Sequence, residues 1–489
     1  MAKVFVLGLD GAPSKLIFEK WKDQLPNIAK LMEDGCYATL MTSIPPSTIA
    51  AWTSLCSGKD PSDFGIYSYT KRVNFEYKEN RLINSGDVKC EMIWDIIAKK
   101  DMKTIALHVP LTYPVKKING IMVSDFLTPE FNDKCTYPAE FKEEIRKLFG
   151  DRYMFDVDVG LASYKSIEKH ELLERIFKMT DMNFKLIYHL LKTKEWDLFI
   201  AEIIGTDRIL HTFFSYIDET HRNYQADNEF KEEVLRYFKF IDIHIGKLAE
   251  LFEQKNQDMQ RNNENNNAAK DNKDTSKNNN TIFIVASDHG MAKMDGRINL
   301  NDWLIKNRYL AMKKMPLQAA KLNFDDVEWK NTKAFAVGAY FGRIYFNLKN
   351  REPEGVVTKK EYGKLQDEII QKLAKIKSDD GKKLDTQFFK SQDIFKGTCK
   401  DEAPDMIIYF DNLIWGVNND VGNTGLYSYK TTKGSDDAGH APEGIFIMHG
   451  KEAKSKGNLG IKNIIDVTPT ILKKLGLQIP KEVRGKIIE

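Results

Sequence analysis

Apolar residues recur along this chain with two spacings. Three stretches are almost continuously apolar: KVFVLGLD (3–10), WDLFIAEIIGTD (196–207) and TIFIVASD (281–288). Short runs without polar alternation predict strands covered on both faces. Between them, EFKEEIRKLFG (140–150), HELLERIFKMTDMNFKLIYHLLKTK (170–194) and EFKEEVLRYFKFIDIHIGKLAELFEQK (229–255) repeat apolar residues at the three-to-four spacing of amphipathic helices. Strands that alternate with helices predict an α/β fold with a doubly wound, mostly parallel sheet flanked by helices.

The texture changes after Trp303. AFAVGAYFGRIYFNL (334–348) reads as paired strands and KKEYGKLQDEIIQKLAKIK (359–377) as a helix. Residues 310–400 are therefore expected to form a small inserted α+β subdomain, with 1–309 and 401–489 making the core. Core-like sequence returns with GIFIMHG (444–450) as a strand and IIDVTPTILKKLGL (464–477) as a helix capped near Gly476. The asparagine-rich run 256–280 has too little apolar surface to bury, and predicts a disordered surface loop.

Composition narrows the function classes. Of 489 residues, 42% are hydrophobic and 29% charged, the profile of a soluble globular chain. Basic residues exceed acidic ones by only three, so no nucleic-acid partner is implied. Cys36, Cys56, Cys90, Cys135 and Cys399 are scattered, with no C-x-x-C pair, which favours a reducing compartment. The first apolar run is too short for a signal peptide, and no window approaches the ~20 residues of a membrane span. The expectation is a cytoplasmic protein with no membrane partner, and its oligomeric state is unknown at this stage.

The chemistry gathers at strand ends, where open α/β sheets bind ligands. The first apolar run ends at Asp10. The second is followed by Asp207 and, one helical turn on, His211. The third ends at Asp288–His289. His440, in the glycine-flanked SDDAGHAPEG, is a further candidate. Carboxylates and imidazoles are ligands for Zn²⁺ or Mn²⁺, and three of each would serve two ions. His170, His189, His221, His244 and His449 have no such partners in the pattern and read as structural or solvated. In SIPPSTIAAWTSLCSGK (43–59), Ser47 and Thr48 open a predicted helix that ends near Gly58. A hydroxyl there is either a helix cap or a nucleophile beside a phosphate-binding helix start, and spacing does not choose between Ser47 and Thr48.

These segments together resemble the alkaline phosphatase superfamily. The resemblance is strongest to its type I phosphodiesterase/nucleotide pyrophosphatase branch and to archaeal-type predicted phosphohydrolases or phosphomutases. It rests on GLDGA, PPSTIAAWTSLCSGKDPSDFGIYSY, VPLTYPVKKINGIMVSDFLTP, GTDRILH, SDHGM, NLKNREPEGVV, GHAPEGIF and DVTPTILKKLGLQIPKEVRGKII, in that order. It implies that Asp10, Thr48, Asp288 and His289 surround one divalent ion and Asp207, His211 and His440 another, with Thr48 as nucleophile. Zinc is the expected metal, with manganese the alternative. Phe64 stands where members often carry histidine, no arginine matches beside Thr48, and the sulfatase pattern C-x-P-x-R is missing, which points away from a strict phosphomonoesterase and from sulfate esters. The implied activity is a two-metal phosphohydrolase that cleaves phosphodiester, phosphomonoester or pyrophosphate bonds of a small-molecule phosphate ester through a phospho-threonine. The alternatives are a phosphomutase of the cofactor-independent phosphoglycerate mutase type and a non-catalytic binding protein on the same fold. Arg343 and Arg351, in the inserted subdomain, could bind distal substrate groups, with a solvated surface arginine the favoured reading of each.

Overall fold

The structure is a computed structural model that describes residues 2–157, 164–267, 280–430, 436–451 and 455–489. The three apolar runs form adjacent central strands: β1 (Lys3–Leu9), β2 (Leu198–Ile203) and β3 (Thr281–Ala286). Both β2 and β3 pair with β1 in parallel. They lie inside a nine-stranded sheet, in the order 457–463, 36–41, 443–449, β3, β1, β2, 104–107, 120–123, 136–137. Strand 443–449 runs antiparallel to both neighbours, and 136–137 closes the far edge antiparallel.

The continuous apolar runs are explained by a core on each face. Phe5, Leu7, Phe199, Ala201, Phe283 and Val285 point into one, under the helices Pro26–Asp34, Lys169–Thr193 and Phe230–Asn267. Val4, Val6, Leu198, Ile200, Ile282 and Ile284 point into the other. There they meet Trp52 and Leu55 of α1 (Thr48–Ser57) and the helices Ile93–Ala98 and Val467–Lys474. Every second residue of a strand serves the same face, so neither face tolerates a polar alternation.

A separate core fills the second module. Its antiparallel sheet runs 334–338, 342–346, 406–409, 387–390, and helix Lys359–Leu373 packs on it. This core takes Ile298, Leu300 and Leu304 before residue 310, and Trp415, Val417 and Val421 after residue 400. It therefore reaches beyond both ends of 310–400. The pairing of strand 296–299 with 415–418 is the link that local composition does not reveal.

The asparagine-rich run departs from expectation in part. The helix that starts at Phe230 continues to Asn267, and 268–279 lie outside the described residues. Asn256 is buried and its side-chain oxygen accepts the Thr281 N–H at 3.0 Å, at the start of β3. Extending an existing helix needs no new nucleus, and asparagine costs only fractions of a kcal/mol per residue. Among the described residues, no helix is long and apolar enough to cross a membrane.

Candidate metal centre and nucleophile

The carboxyl ends of the three central strands deliver the polar groups. Asp10 follows β1, Asp288 and His289 follow β3, and α2 (Gly205–Ile217) starts just past β2, carrying Asp207 and His211 one turn apart. His440 arrives on the short strand Ala438–Ala441, which pairs with Gly290–Lys293 and sets His440 opposite Met291. Chain segments more than 400 residues apart thus meet at one edge of the sheet. The six side chains fall into two groups, Asp10–Asp288–His289 and Asp207–His211–His440, each with ligand atoms within 4.8 Å of one another. All six are at most 3% exposed.

Thr48 joins them. Ser47 is the residue before the helix, in extended conformation, and its side chain makes no cap bond. Thr48 is the first helical residue, and its Oγ1 lies 3.3 Å from His289 Nε2. The two groups touch through the imidazoles, because His289 and His440 stack with ring centroids 3.7 Å apart.

Hydrogen bonds orient every donor atom. Nδ1 of His211, His289 and His440 meets the carbonyls of Ala438, Gly290 and Pro46 at 2.9, 2.9 and 2.6 Å. A carbonyl only accepts, so each Nδ1 carries the proton and each Nε2 presents a lone pair to the site. The carboxylates divide their oxygens in the same way. One oxygen of Asp10 accepts the Trp52 indole N–H at 2.8 Å, one of Asp207 accepts from Arg208 at 2.6 Å, and one of Asp288 accepts the Gly11 N–H at 3.1 Å. The other oxygens, Asp10 Oδ1, Asp207 Oδ1 and Asp288 Oδ2, have no hydrogen-bond partner although buried. They lie 3.5, 3.2 and 3.2 Å from the Nε2 atoms of His289, His211 and His289.

Lone pair therefore faces lone pair throughout, an arrangement that cations stabilise and that is costly otherwise. Burial, and then the charge of Asp207, push Asp10 well above the usual carboxylate range, and burial followed by the charges of Asp10 and Asp207 does the same to Asp288. Burial pulls His289 down to about 4, and burial followed by the neighbouring His289 and His211 holds His440 well below its ordinary value. Neutral imidazoles beside crowded carboxylates fit a pair of divalent cations in donor type and protonation state.

The structure adds residues that the sequence pattern did not single out. Trp52 is four residues after Thr48, on the same side of α1. Its ring lies where a side chain on Gly8 would sit, 2.1 Å from that position, so the strand needs glycine there. Arg208, adjacent to Asp207, also grips Asp156 through two nitrogens at 2.9 and 2.7 Å. Its position beside Asp207 was readable, but its partner Asp156 was not. Tyr340, from the turn of the 334–346 hairpin, stacks on His440 and His211 at 4.4 and 4.9 Å between centroids. Tyr69 lies beside Thr48 and meets Phe126 edge to face. Nothing local in the sequence marks either tyrosine.

Other expectations resolve differently. Phe64 is fully buried among Ile49, Ala50, Ile66 and Leu111, as a packing residue. Neither Arg343 nor Arg351 is a solvated surface residue. Arg343 is buried, and Arg351, partly buried, binds Asp405 through two nitrogens, both at 2.7 Å.

The sequence matches the family model described as type I phosphodiesterase/nucleotide pyrophosphatase over residues 4–436. A search of curated proteins finds no match. Similar solved structures include murine ectonucleotide pyrophosphatase/phosphodiesterase 5, with TM-score 0.54 and 13% identity, covering 98% of this chain and 96% of that one. An inactive threonine-to-alanine form of the same murine protein in complex with AMP gives the same values. The human protein gives TM-score 0.52 at 13% identity, with coverage of 98% and 96%. At this identity the likeness to the solved structures is one of fold.

Proposed function

The chain belongs to the type I phosphodiesterase/nucleotide pyrophosphatase family, hydrolases acting on phosphoric esters, and on that premise we propose that it cleaves phosphodiester or pyrophosphate bonds through a covalent phospho-Thr48 intermediate. The observation that carries this reading is the set of orphaned buried carboxylate oxygens facing imidazole lone pairs, with the Thr48 hydroxyl at their border. Asp10, Asp288, His289 and Thr48 would hold one divalent ion, and Asp207, His211 and His440 the other. The nitrogen-rich donor set suits zinc, with manganese next. When bound, such ions polarise phosphoryl oxygens and lower the cost of an ionised hydroxyl.

The chain's own groups supply the rest. The first-turn N–H groups of α1 have no partners within the helix and suit a phosphoryl oxygen at Thr48. Trp52, Gly11 and Arg208 hold the three carboxylates in fixed rotamers, so binding substrate requires little rearrangement. Burial of the whole group excludes water from the reacting oxygen. Tyr340, contributed by the second module, borders the imidazoles and is proposed to shape access for the substrate. The murine neighbour's complex with AMP supports a nucleotide as the substrate class.

The test compares bis-p-nitrophenyl phosphate, p-nitrophenyl phosphate and a nucleotide panel on the wild type and Thr48→Ala. The diester and pyrophosphate substrates should turn over faster than the monoester. Thr48→Ala should lose on the order of 1000-fold or more in turnover while keeping its metal content. A variant that hydrolyses diesters at the wild-type rate removes Thr48 from the reaction.

A further inference from the structure

We infer that Lys165 and Arg297 form a binding site for a second phosphate group of the substrate, remote from the bond that is cut. The inference rests on the reading above, in which a phosphoryl group is held beside Thr48 and the six proposed metal ligands.

One carboxylate brings the two cations together. Asp436 pairs with Lys165 through one oxygen and with Arg297 through the other. The side chains of Asp436, Lys165 and Arg297 are 3%, 16% and 7% exposed, so water screens the cluster little. A single carboxylate does not neutralise two cations, and a net positive charge is left. Burial lowers the Arg297 guanidinium below its ordinary value, as for a cation whose partners do not offset its lost hydration.

Arg297 also has donors to spend. Among the described residues its hydrogen-bond partner is Asp436 alone, reached from one terminal nitrogen, and a guanidinium carries several further N–H groups. It lines a cavity of about 330 Å³ together with Arg222, Asn223, Ser428 and Tyr429, within the size range of ligand pockets. The other acid of that cavity, Asp295, is already paired with Lys293 at 3.2 Å. Neither acid is therefore left to repel an incoming anion.

The cluster stands at the rim of the proposed metal ligands. Lys165 Nζ lies 5.9 Å from the centre of the Tyr340 ring, and that ring stacks on His440 at 4.4 Å, so Lys165 Nζ is within about 10 Å of the His440 ring. A second route leads through the neighbouring Tyr164, whose ring receives the Arg208 guanidinium at 4.9 Å, and Arg208 holds Asp207. The cavity reaches the same strand. Met294 lines it and donates its N–H to the Asp437 carbonyl at 3.0 Å, three residues before His440. A phosphoryl group among the six ligands and a second one at Lys165 and Arg297 are thus separated by no more than a small organic linker. The ammonium attracts that second group as a point charge, and the guanidinium fork fixes its orientation.

Hexanediol bisphosphate and hexyl phosphate differ only in the second phosphate. Calorimetric titration of the zinc-loaded full chain gives a Kd for each. The bisphosphate is expected to bind about tenfold tighter or more, beyond the factor that two equivalent ends supply by statistics. In Lys165→Gln and in Arg297→Gln the gain should shrink toward that statistical factor, whereas Lys165→Arg, which keeps the charge, should retain most of it. The gain is a ratio of two Kd values within one variant, so a general weakening of the phosphate site cancels. A wild-type gain no larger than the statistical factor overturns the inference without any variant having to fold. A full gain in both glutamine variants overturns it too, and so does a gain lost equally in Lys165→Arg, which would mark a structural contact rather than a charge. No bond is broken in this titration, so its outcome is separate from that of Thr48→Ala: wild-type turnover in that variant removes the nucleophile and leaves the second phosphate site standing. Binding of neither probe would remove the phosphate centre itself, and this inference with it.

Discussion

One oxygen of Asp10 takes the indole proton of Trp52, and the other faces His289 with no hydrogen-bond partner. Each carboxylate at the site is divided in this way, one oxygen serving orientation and the other presented to the centre. Trp52→Phe leaves the buried Asp10 Oδ2 without its donor. The expected cost is about 1–3 kcal/mol of stability, together with a roughly 10–100-fold loss of zinc affinity, read by thermal melting and by zinc titration. Unchanged zinc affinity would show that the indole does not orient Asp10. Asp288 carries the opposite stability sign. Burial, then the charge of Asp10, raises its carboxyl well above the ordinary value. A folded-state value above the unfolded one favours the fold at low pH, and that contribution is lost as pH rises through the folded value. At pH 7 with chelator present, Asp288→Asn should therefore melt at a higher temperature than the wild type, while turnover collapses. A lower melting temperature for the variant under those conditions would mean that carboxylate crowding is not a net cost.

The strands report themselves most clearly at the element scale. β1, β2 and β3 were legible because burial on both faces leaves no room for polar alternation, Asp10, Asp288 and His289 because they lie just past strand ends, and Asp207 and His211 because they share a face of the helix after β2. His440 was legible from its glycine-flanked segment, but not its register opposite Met291. Tyr340 and the Arg208–Asp156 pair were not legible, since their roles arise where elements distant in sequence meet. The second module's reach to Ile298 and Val421 was hidden for the same reason. Beyond the strand Thr104–Leu107, His108 lies in the left-handed region with φ 59°. Its two ring nitrogens meet the Ser124 carbonyl and the Tyr153 hydroxyl at 3.1 and 2.7 Å. Burial lowers its imidazole to about 4. A lowered imidazole value means that the unfolded chain takes up a proton first, so stability present above about 6.5 is lost as pH falls toward 4. The expected loss is about 3 kcal/mol. His108→Asn, which tolerates the same backbone conformation, should flatten the decline of melting temperature between pH 6.5 and 4. An unchanged slope would locate the acid sensitivity elsewhere.

Across the whole molecule, the proposed ligands tie the first strand to residues near the C-terminal end, and they connect the main sheet to the strand that carries His440. Ions held by such a set stabilise the folded chain as a function of their free concentration, by about 4 kcal/mol at roughly 1000 times Kd. Chelation should lower the melting temperature reversibly, and the shift should scale with the logarithm of added zinc. A melting temperature indifferent to chelator and zinc would mean that the six side chains do not bind metal in the native state. The family assignment makes the chain a phosphoric-ester hydrolase, and in its structure two buried donor groups meet at Thr48. Metal content tests that claim most directly. Protein equilibrated with zinc and freed of excess, then measured by inductively coupled plasma mass spectrometry, should carry two ions per chain. A value near zero would contradict it.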